Sequence, residues 1–177
     1  MRALPAGIKI RRAGVDDADR VEALIQAELA RYAEWAPEGW SLGTPPPGAR
    51  ERVEENFRDP ERAWVLLAEA GDEAVGVVSL ALTTAAKAER PVEGTVYLWQ
   101  MFVRRDRQGS GLAGALMDRV IEEARSRGFT RMILWTPEGA VQARRFYERE
   151  GWAPTGEVNP GADFGLPLVE YERSIAT

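Results

Sequence analysis

A glycine-rich turn between two apolar segments constrains this chain more than any other feature. Val103 ends a run of aromatic and aliphatic residues, and three arginines follow within four positions. Gly109 and Gly111 then precede an apolar pattern with helical spacing. Glycine lets the main chain approach a ligand, and the first amides of a helix have no partner within the helix. The pattern predicts a strand, a turn and a helix N-terminus that binds an anion; the alternative is a solvated loop.

The composition limits the chemistry that is available. The 177 residues include no cysteine and no histidine, and the formal net charge is −5. Disulfides, thiolate or imidazole metal sites, thiol nucleophiles and Ser-His-Asp triads are therefore excluded, and we expect no metal. The acidic balance argues against a nucleic-acid partner, and no run approaches the roughly 18 apolar residues of a membrane span. We expect one domain over residues 1–177 and a cytoplasmic location, because the first residues lack a signal-peptide pattern.

Periodicity predicts a mixed sheet with helices on both faces. Asp16 and Asp19 form a capping-box-like pair before the first helical stripe, and Asp59 and Pro60 stop the second helix. The predicted helical stripes cover residues 21–29, 53–57, 113–124 and 143–147. The predicted strands cover residues 8–12, 63–70, 74–82, 95–103, 132–135, 152–155 and 166–175. Antiparallel strands followed by a strand-helix-strand unit indicate a three-layer α/β or α+β domain with six or seven strands.

The segment from Gly109 to Gly114 formally satisfies the GxGxxG pattern of dinucleotide-binding proteins. In that fold the motif follows its strand directly, and an acid ends the next strand about 20 residues later. Here five residues separate Val103 from Gly109, and the next strand ends at Trp135. A dinucleotide-dependent oxidoreductase stays as an alternative, because Glu138 lies just beyond that strand.

Two motifs resemble those of the GNAT superfamily of N-acetyltransferases. Residues 108–113, Gln-Gly-Ser-Gly-Leu-Ala, resemble the signature of Gln or Arg, two residues, Gly, one residue, then Gly or Ala. Residues 143–152 resemble Ala-x-x-Phe-Tyr followed after three residues by Gly and Phe or Trp. The resemblance covers most of the chain, and residues 8–48 match only in element order. It implies a single GNAT-like domain whose sheet splays between the fourth and fifth strands.

The resemblance implies acetyl-CoA as co-substrate. Its pantetheine would lie in the splay like an added strand, bonded to the main chain of Met101 and Val103. Its pyrophosphate would rest on the amides of the glycine turn, assisted by Gln108 and the nearby arginines. Ala140 stands where the family often has an asparagine, which removes one polar contact. The implied cofactor-binding residues are Met101, Phe102, Val103, Gln108, Gly109, Ser110, Gly111, Leu112, Ala113, Gly114, Ala140 and Ala143.

Tyr147 matches the tyrosine that in many family members donates a proton to the departing thiolate. A phenol has an ordinary pKa near 10, so it stays protonated at neutral pH, as a general acid must. The alternative is that Phe146 and Tyr147 are a packed aromatic pair of the core. The strand glutamate that some members use as a base corresponds to Tyr97, and Glu93 lies nearer the start of that strand. The sequence therefore names no base, and water is an alternative.

The acceptor implied by the resemblance is a primary amine of a small molecule, peptide or protein. We expect it under the loops at residues 35–48 and 157–165, near Asp163 and Glu170. Trp35 and Trp40 are candidate walls, with a hydrophobic plug or dimer contact as the alternative. Without cysteine we predict direct attack by the amine. A CoA-binding module without turnover is a second alternative. Family members often form dimers, and these residues do not decide whether this chain is a homodimer.

The remaining acidic residues of the first loop, Glu34 and Glu38, are better explained as solvated side chains than as bases, and the same holds for Glu93. The acidic balance of the chain favours a cationic amine acceptor over an acidic one.

Overall fold

Seven strands within the described residues form one mixed sheet. The computed structural model describes residues 1–44, 49–59, 63–82, 92–161 and 165–176. The strands are β1 (Ile8–Arg12), β2 (Ala63–Ala70), β3 (Glu73–Ala81), β4 (Thr95–Val103), β5 (Arg131–Pro137), β6 (Ala153–Asn159) and β7 (Leu168–Ser174). Their order is β1-β2-β3-β4-β5-β7-β6, in which β4 and β5 pair in parallel and the other neighbours pair antiparallel. The predicted mixed sheet is confirmed.

Four α-helices of the described chain cover the two faces of the sheet. They are α1 (Ala18–Ala30), α2 (Ala49–Arg58), α3 (Leu112–Ser126) and α4 (Val141–Arg149). Leu24 of α1 and Phe57 of α2 share one buried cluster with Leu67 and Val77 of the sheet. Side chains of α3 and α4 share the second cluster, on the opposite face, with β4, β5 and β7. The three-layer arrangement is therefore as predicted, and none of the described helices is long and apolar enough to cross a membrane.

The start of α1 differs from the sequence prediction. A 3-10 turn, Val15–Asp17, precedes the helix, and the residue before α1 is Asp17. The Asp17 carboxylate accepts the Gly14 N–H at 2.9 Å and two bonds from Arg11 at 2.7 Å. The prediction that Asp16 and Asp19 cap this helix is therefore wrong. Asp17 accepts the N–H of the turn instead, and Arg11 of β1 binds the same carboxylate.

Several other sequence expectations concern residues at or beyond the ends of the described ranges. The loop after α1 begins with a second 3-10 turn, Arg31–Glu34, and residues 45–48 lie outside the described residues. Phe57 is buried on α2 as predicted. The predicted helix stop at Pro60, the acceptor-site candidate Asp163 and the side chain of Val53 lie outside the described residues.

The parallel strands β4 and β5 diverge after a short contact. Their register includes only Thr95, Val96 and Tyr97 of β4. On its other edge β4 continues against β3 as far as Val103. Ser79 of β3 pairs with Gln100, whereas Leu80 pairs with Leu98, so Trp99 is an extra residue in β4. Such a bulge bends a strand and increases its twist, which accounts for the opening beside β5.

Candidate active site

The opening between β4 and β5 continues into a cleft of about 990 Å³. It is walled by the end of α1 and the turn after it, the last part of β4, the start of α3, and α4. The predicted site residues that line it are Met101, Phe102, Val103, Gln108, Gly109, Gly111, Ala113, Gly114, Ala140, Ala143 and Tyr147. The fold thus brings together two motifs that are separated by about 30 positions in the sequence.

The β4 edge directs alternate main-chain groups into this cleft. The Arg104 N–H donates to the Val75 carbonyl at 3.0 Å, and the register continues that pairing to Phe102 and Val77. Because alternate residues of an antiparallel strand turn their backbone groups toward the partner, Met101 and Val103 turn theirs away from β3. A strand-like ligand on this side would therefore meet the backbone of these two residues.

The glycine turn has a conformation that requires its glycines. Gly109 and Gly111 have φ values of 77° and 88°, and Gly111 is the N-cap of α3. A Cβ at either position would meet no atom within 4 Å, so the requirement is for the left-handed backbone and not for space within this chain. Gln108 Nε2 donates to the Val103 carbonyl at 3.1 Å, which ties the turn to the end of β4.

Ser110 and Leu112 are the two predicted cofactor-binding residues that do not line the cleft. The Ser110 hydroxyl donates to the Arg107 carbonyl at 2.6 Å and accepts the Leu112 N–H at 3.4 Å. The Leu112 side chain is fully buried in the core that α3 shares with the sheet. A role for these residues toward a ligand therefore depends on their amides alone.

The arginines beside the glycine turn are partly neutralised by carboxylates. Arg104 binds Asp106 at 2.7 Å and Glu73 at 3.0 Å, and Arg105 binds Glu34 at 3.1 Å. The hydrogen bond from Arg104 lowers the pKa of Asp106 and raises the pKa of Arg104. Arg105 and Arg107 line the cleft. The three predicted arginines are therefore at the turn, but each of them has a carboxylate partner, which reduces the positive charge there.

Tyr147 belongs to the core and to the cleft wall. Its side chain is 7% exposed, and its ring packs edge-on against Phe146 at 5.5 Å and Trp152 at 6.0 Å between centroids. Burial, with a smaller contribution from Tyr32, raises the pKa of the Tyr147 phenol. The phenol is therefore protonated throughout the physiological pH range. The two sequence interpretations of this residue are compatible, because one side of the ring packs while the residue lines the cleft.

A buried hydroxyl holds α4 against the sheet. Tyr171 of β7 is completely buried, and its hydroxyl donates to Glu148 Oε1 at 2.9 Å. The Tyr171 hydroxyl oxygen also accepts a bond from Arg144 Nε at 3.1 Å. Both partners are on α4, so these bonds connect that helix to β7.

Sequence analysis did not identify Glu28 and Tyr32 as cleft residues. Glu28 of α1 is buried, and its Oε1 accepts the Arg105 N–H at 3.2 Å. Its Oε2 lies 3.5 Å from Arg31 Nε. Burial, and then the charge of Glu28, raise the pKa of Tyr32 to about 12. A signal was available, because Glu28 occupies the same face of α1 as Val21 and Leu24, and a charge within an apolar stripe is uncommon.

The two candidate tryptophan walls have different positions. Trp35 lines the cleft, and its ring lies so close to Gly139 that a Cβ there would be 2.8 Å from Cζ3. It also packs on Tyr32 with 4.8 Å between ring centroids. Trp40 does not line the cleft; it lies 6.3 Å from Tyr32 and beside Gly165.

The candidate acidic residues are spread over several environments. Glu34 lines the cleft, whereas Glu38 and Glu93 are exposed outside it. Glu170 is buried on β7, accepts a bond from Thr155 Oγ1 at 3.1 Å and does not line the cleft. Tyr97, at the family's glutamate position, is buried. Within the described ranges, no group of three potential ligands could hold a metal ion.

Comparisons with known proteins agree with this geometry. The family model of the acetyltransferase (GNAT) family matches residues 28–152. Mycothiol acetyltransferase of Beutenbergia cavernae is 31% identical over 164 residues, which cover 93% of this chain and 50% of that protein. The chain thus spans about half the length of this curated relative.

Solved structures share the fold at low sequence identity. The ribosomal-protein-alanine N-acetyltransferase of Brucella melitensis aligns with a TM-score of 0.73 and 22% identity, over 94% of this chain and 99% of that one. An N-acetyltransferase of Thermoplasma acidophilum in complex with coenzyme A aligns with a TM-score of 0.67 and 12% identity, over 94% and 98%. The splayed sheet and its cleft thus define an acetyltransferase fold. The chain belongs to the GNAT acetyltransferase family.

Proposed function

We propose that this protein transfers the acetyl group of acetyl-CoA to a primary amine by direct attack within a ternary complex. The observation that carries the proposal is the position of Tyr147 in a cleft that also includes the open edge of β4 and the N-terminus of α3. The strand edge and the anion-binding helix end would hold the thioester co-substrate, and the proton donor would protonate its leaving group.

The residues of the cleft fit the shape and charge of acetyl-CoA. Met101 and Val103 would bond the amide-rich pantetheine arm through their main chain. The amides of residues 109–114 would bind the pyrophosphate, because a helix N-terminus stabilises an anion by about 0.3 to 2 kcal/mol. Arg105 and Arg107 line the same cleft and add charge-assisted bonds.

The proposed chemistry uses Tyr147 as the general acid. The lone pair of the amine attacks the thioester carbonyl, and the carbon-sulfur bond then breaks. The sulfur takes the phenolic proton of Tyr147, and the amine nitrogen gives up its surplus proton to a base or to water. Tyr147 regains its proton from solvent before the next turnover. Because the chain has no cysteine, an acetylated thiol enzyme is not part of the proposal.

The acceptor amine would approach from the side of α1. Glu28, Tyr32, Glu34 and Trp35 line that part of the cleft. The aromatic wall of Tyr32 and Trp35 favours a cationic amine, in agreement with the acidic balance of the chain. The proposal covers amines of small molecules and of peptides or proteins alike.

A CoA-binding module without turnover is the second candidate function. Two departures from the family pattern favour it: Ala140 replaces the usual asparagine, and the buried Tyr97 replaces the strand glutamate. The dinucleotide alternative is disfavoured by the sheet, because only β4 and β5 pair in parallel among the described strands, whereas the doubly wound fold has a mostly parallel sheet.

The proposal is tested by release of CoA thiol in a panel of acceptors. The panel includes polyamines, aminoglycosides, amino acids and peptides with free N-termini, and the protein itself adds no thiol background. We expect release with one class of amine and intersecting lines in double-reciprocal plots. Parallel lines would contradict direct attack. Binding of acetyl-CoA without release from any acceptor would favour the module.

A further inference from the structure

The segment before β1 brings Arg2 into the same cleft. Arg2 is among the residues that line it, on the wall between α3 and α4. Its backbone N–H donates to Asp118 Oδ2 of α3 at 2.6 Å, and its Nη2 donates to Glu150 Oε2 at 2.8 Å, just beyond α4. Arg2 thus bridges the two helices that carry the glycine turn and the candidate acid. It lies outside both sequence motifs and outside the matched family region.

The first turn of α3 provides room for this guanidinium. Gly114 is the third residue of α3, and a Cβ at this position would collide with Arg2 Nη1. The guanidinium thus packs against Gly114, which places its positive charge beside the amides that would hold the pyrophosphate.

The guanidinium retains capacity for an anion. Nη2 is bonded to Glu150, whereas Nη1 makes a longer contact of 3.7 Å with Asp118 Oδ1. A guanidinium has more N–H donors than these contacts use, and its planar fork fits a phosphate. The Arg2 side chain is 47% exposed, so a ligand in the cleft can reach it. Asp118 and Glu150, which contact it, are less exposed, and Glu150 also lines the cleft.

We propose that Arg2 binds a phosphate group of acetyl-CoA and is a cofactor-binding residue that the family motifs do not include. The inference rests on the proposed function, because it takes acetyl-CoA as the ligand of the cleft. The phosphate is that of the diphosphate bridge or of the 3′ position, which share the same recognition chemistry.

The test is calorimetric titration of CoA into the wild-type protein and into Arg2→Ala, with any purification tag at the C-terminus. We expect Arg2→Ala to weaken CoA binding about tenfold, which corresponds to about 1.4 kcal/mol. The control is Arg119→Ala, which removes one exposed arginine from the same helix outside the cleft. This variant should bind within about twofold of wild type, because exposed substitutions rarely cost more.

Two further arms define the contact. Dephospho-CoA lacks the 3′ phosphate, so an Arg2→Ala effect that persists with this ligand assigns the contact to the diphosphate. An effect that disappears assigns it to the 3′ phosphate. Arg2→Lys keeps the charge but loses the fork, and we expect an intermediate affinity from it. It also replaces Arg2→Ala if that variant proves unstable.

The inference is overturned if Arg2→Ala binds CoA as tightly as wild type and Arg119→Ala do. It is also overturned if Arg2→Ala binds more tightly, since Arg2 would then obstruct the cleft. Wild-type protein that fails to bind CoA would contradict the proposed function itself. Binding by wild type with no effect of Arg2 contradicts this inference alone.

Discussion

At the scale of single residues, Tyr147 has the most specific expected effect. Replacing it with phenylalanine keeps the packing against Trp152 and removes the proton donor. We expect kcat to fall about 100-fold or more, as is typical when a general acid is lost, while the KM for acetyl-CoA changes little. Steady-state kinetics measure both constants.

The matched control is Tyr171→Phe. It removes a hydroxyl from a neighbouring buried tyrosine, 6.4 Å from Tyr147 between ring centroids, that does not line the cleft. We expect this variant to lose about 1 kcal/mol of stability through its bonds to α4 and to retain most of its kcat below its melting temperature. Equal losses of kcat in the two variants would contradict the assignment of Tyr147.

The raised pKa of Tyr147 also predicts a pH dependence. Burial disfavours the phenolate, so the proton donor persists as the pH rises through the ordinary phenol range near 10. Ionisation of Tyr147 should therefore not lower kcat between pH 7 and about pH 10. Over this range the profiles of wild type and Tyr147→Phe should have the same shape. A profile of kcat against pH for both proteins checks this expectation.

At the scale of elements, an ion network joins β1, β2 and the start of α1. Arg11 binds Asp17 at 2.7 Å and Glu69 at 2.8 Å, and Arg20 binds the same two carboxylates at 3.3 Å and 3.0 Å. The bonds from Arg11 lower the pKa of Asp17 to about 2 and also lower the pKa of Glu69. Because the folded state holds these carboxylates ionised, their contribution is present above the unfolded pKa of about 4 and is lost toward pH 2.

Asp17→Asn should therefore destabilise the protein at pH 7 and flatten its acid dependence. We expect a loss of about 1.5 to 3 kcal/mol, since bonds to a charged group are removed. Chemical denaturation at pH 7 and at pH 3 measures the difference, which should be smaller at the lower pH. Asp16→Asn, an exposed neighbour, is the control and should have little effect. An equal cost of Asp17→Asn at both pH values would contradict this account.

Local sequence patterns predicted the elements better than their ends. The strands of residues 63–70 and 95–103 have the predicted bounds, because apolar runs there are closed by turn residues or charges. The start of α1 was predicted wrongly, because residues 15–17 form a 3-10 turn. In addition, Arg11 of strand β1 forms a hydrogen bond with Asp17. A capping pattern has no information about such a tertiary partner.

At the scale of the whole molecule, the splay was predicted from a family resemblance and not from periodicity. It depends on the extra residue Trp99, which an alternating pattern does not reveal. The same limit applies to Glu28 and Arg2. Arg2 meets Glu150 across 148 positions, and Glu28 meets Arg105 across 77. Motif spacing describes neighbours in sequence, whereas these cleft residues meet only when the sheet has formed.

Ligand binding should stabilise the whole fold. At a concentration of 100 times its Kd, acetyl-CoA should add about 2.7 kcal/mol, which for a chain of this size raises Tm by about 5 to 10 °C. NAD at equal concentration should give no shift. A scan of thermal unfolding measures both, and a single transition is expected if residues 1–177 form one domain. A shift with NAD alone would revive the oxidoreductase alternative.

The central claim is that the cleft transfers an acetyl group from acetyl-CoA to an amine with Tyr147 as acid. The most direct measurement follows thiol release and the mass of the acceptor in the same reaction, with wild type and Tyr147→Phe. The account predicts one acetylated amine for each thiol released by wild type, and strongly slowed formation of both products by the variant. Thiol release without an acetylated acceptor, or equal rates for the two proteins, would contradict it.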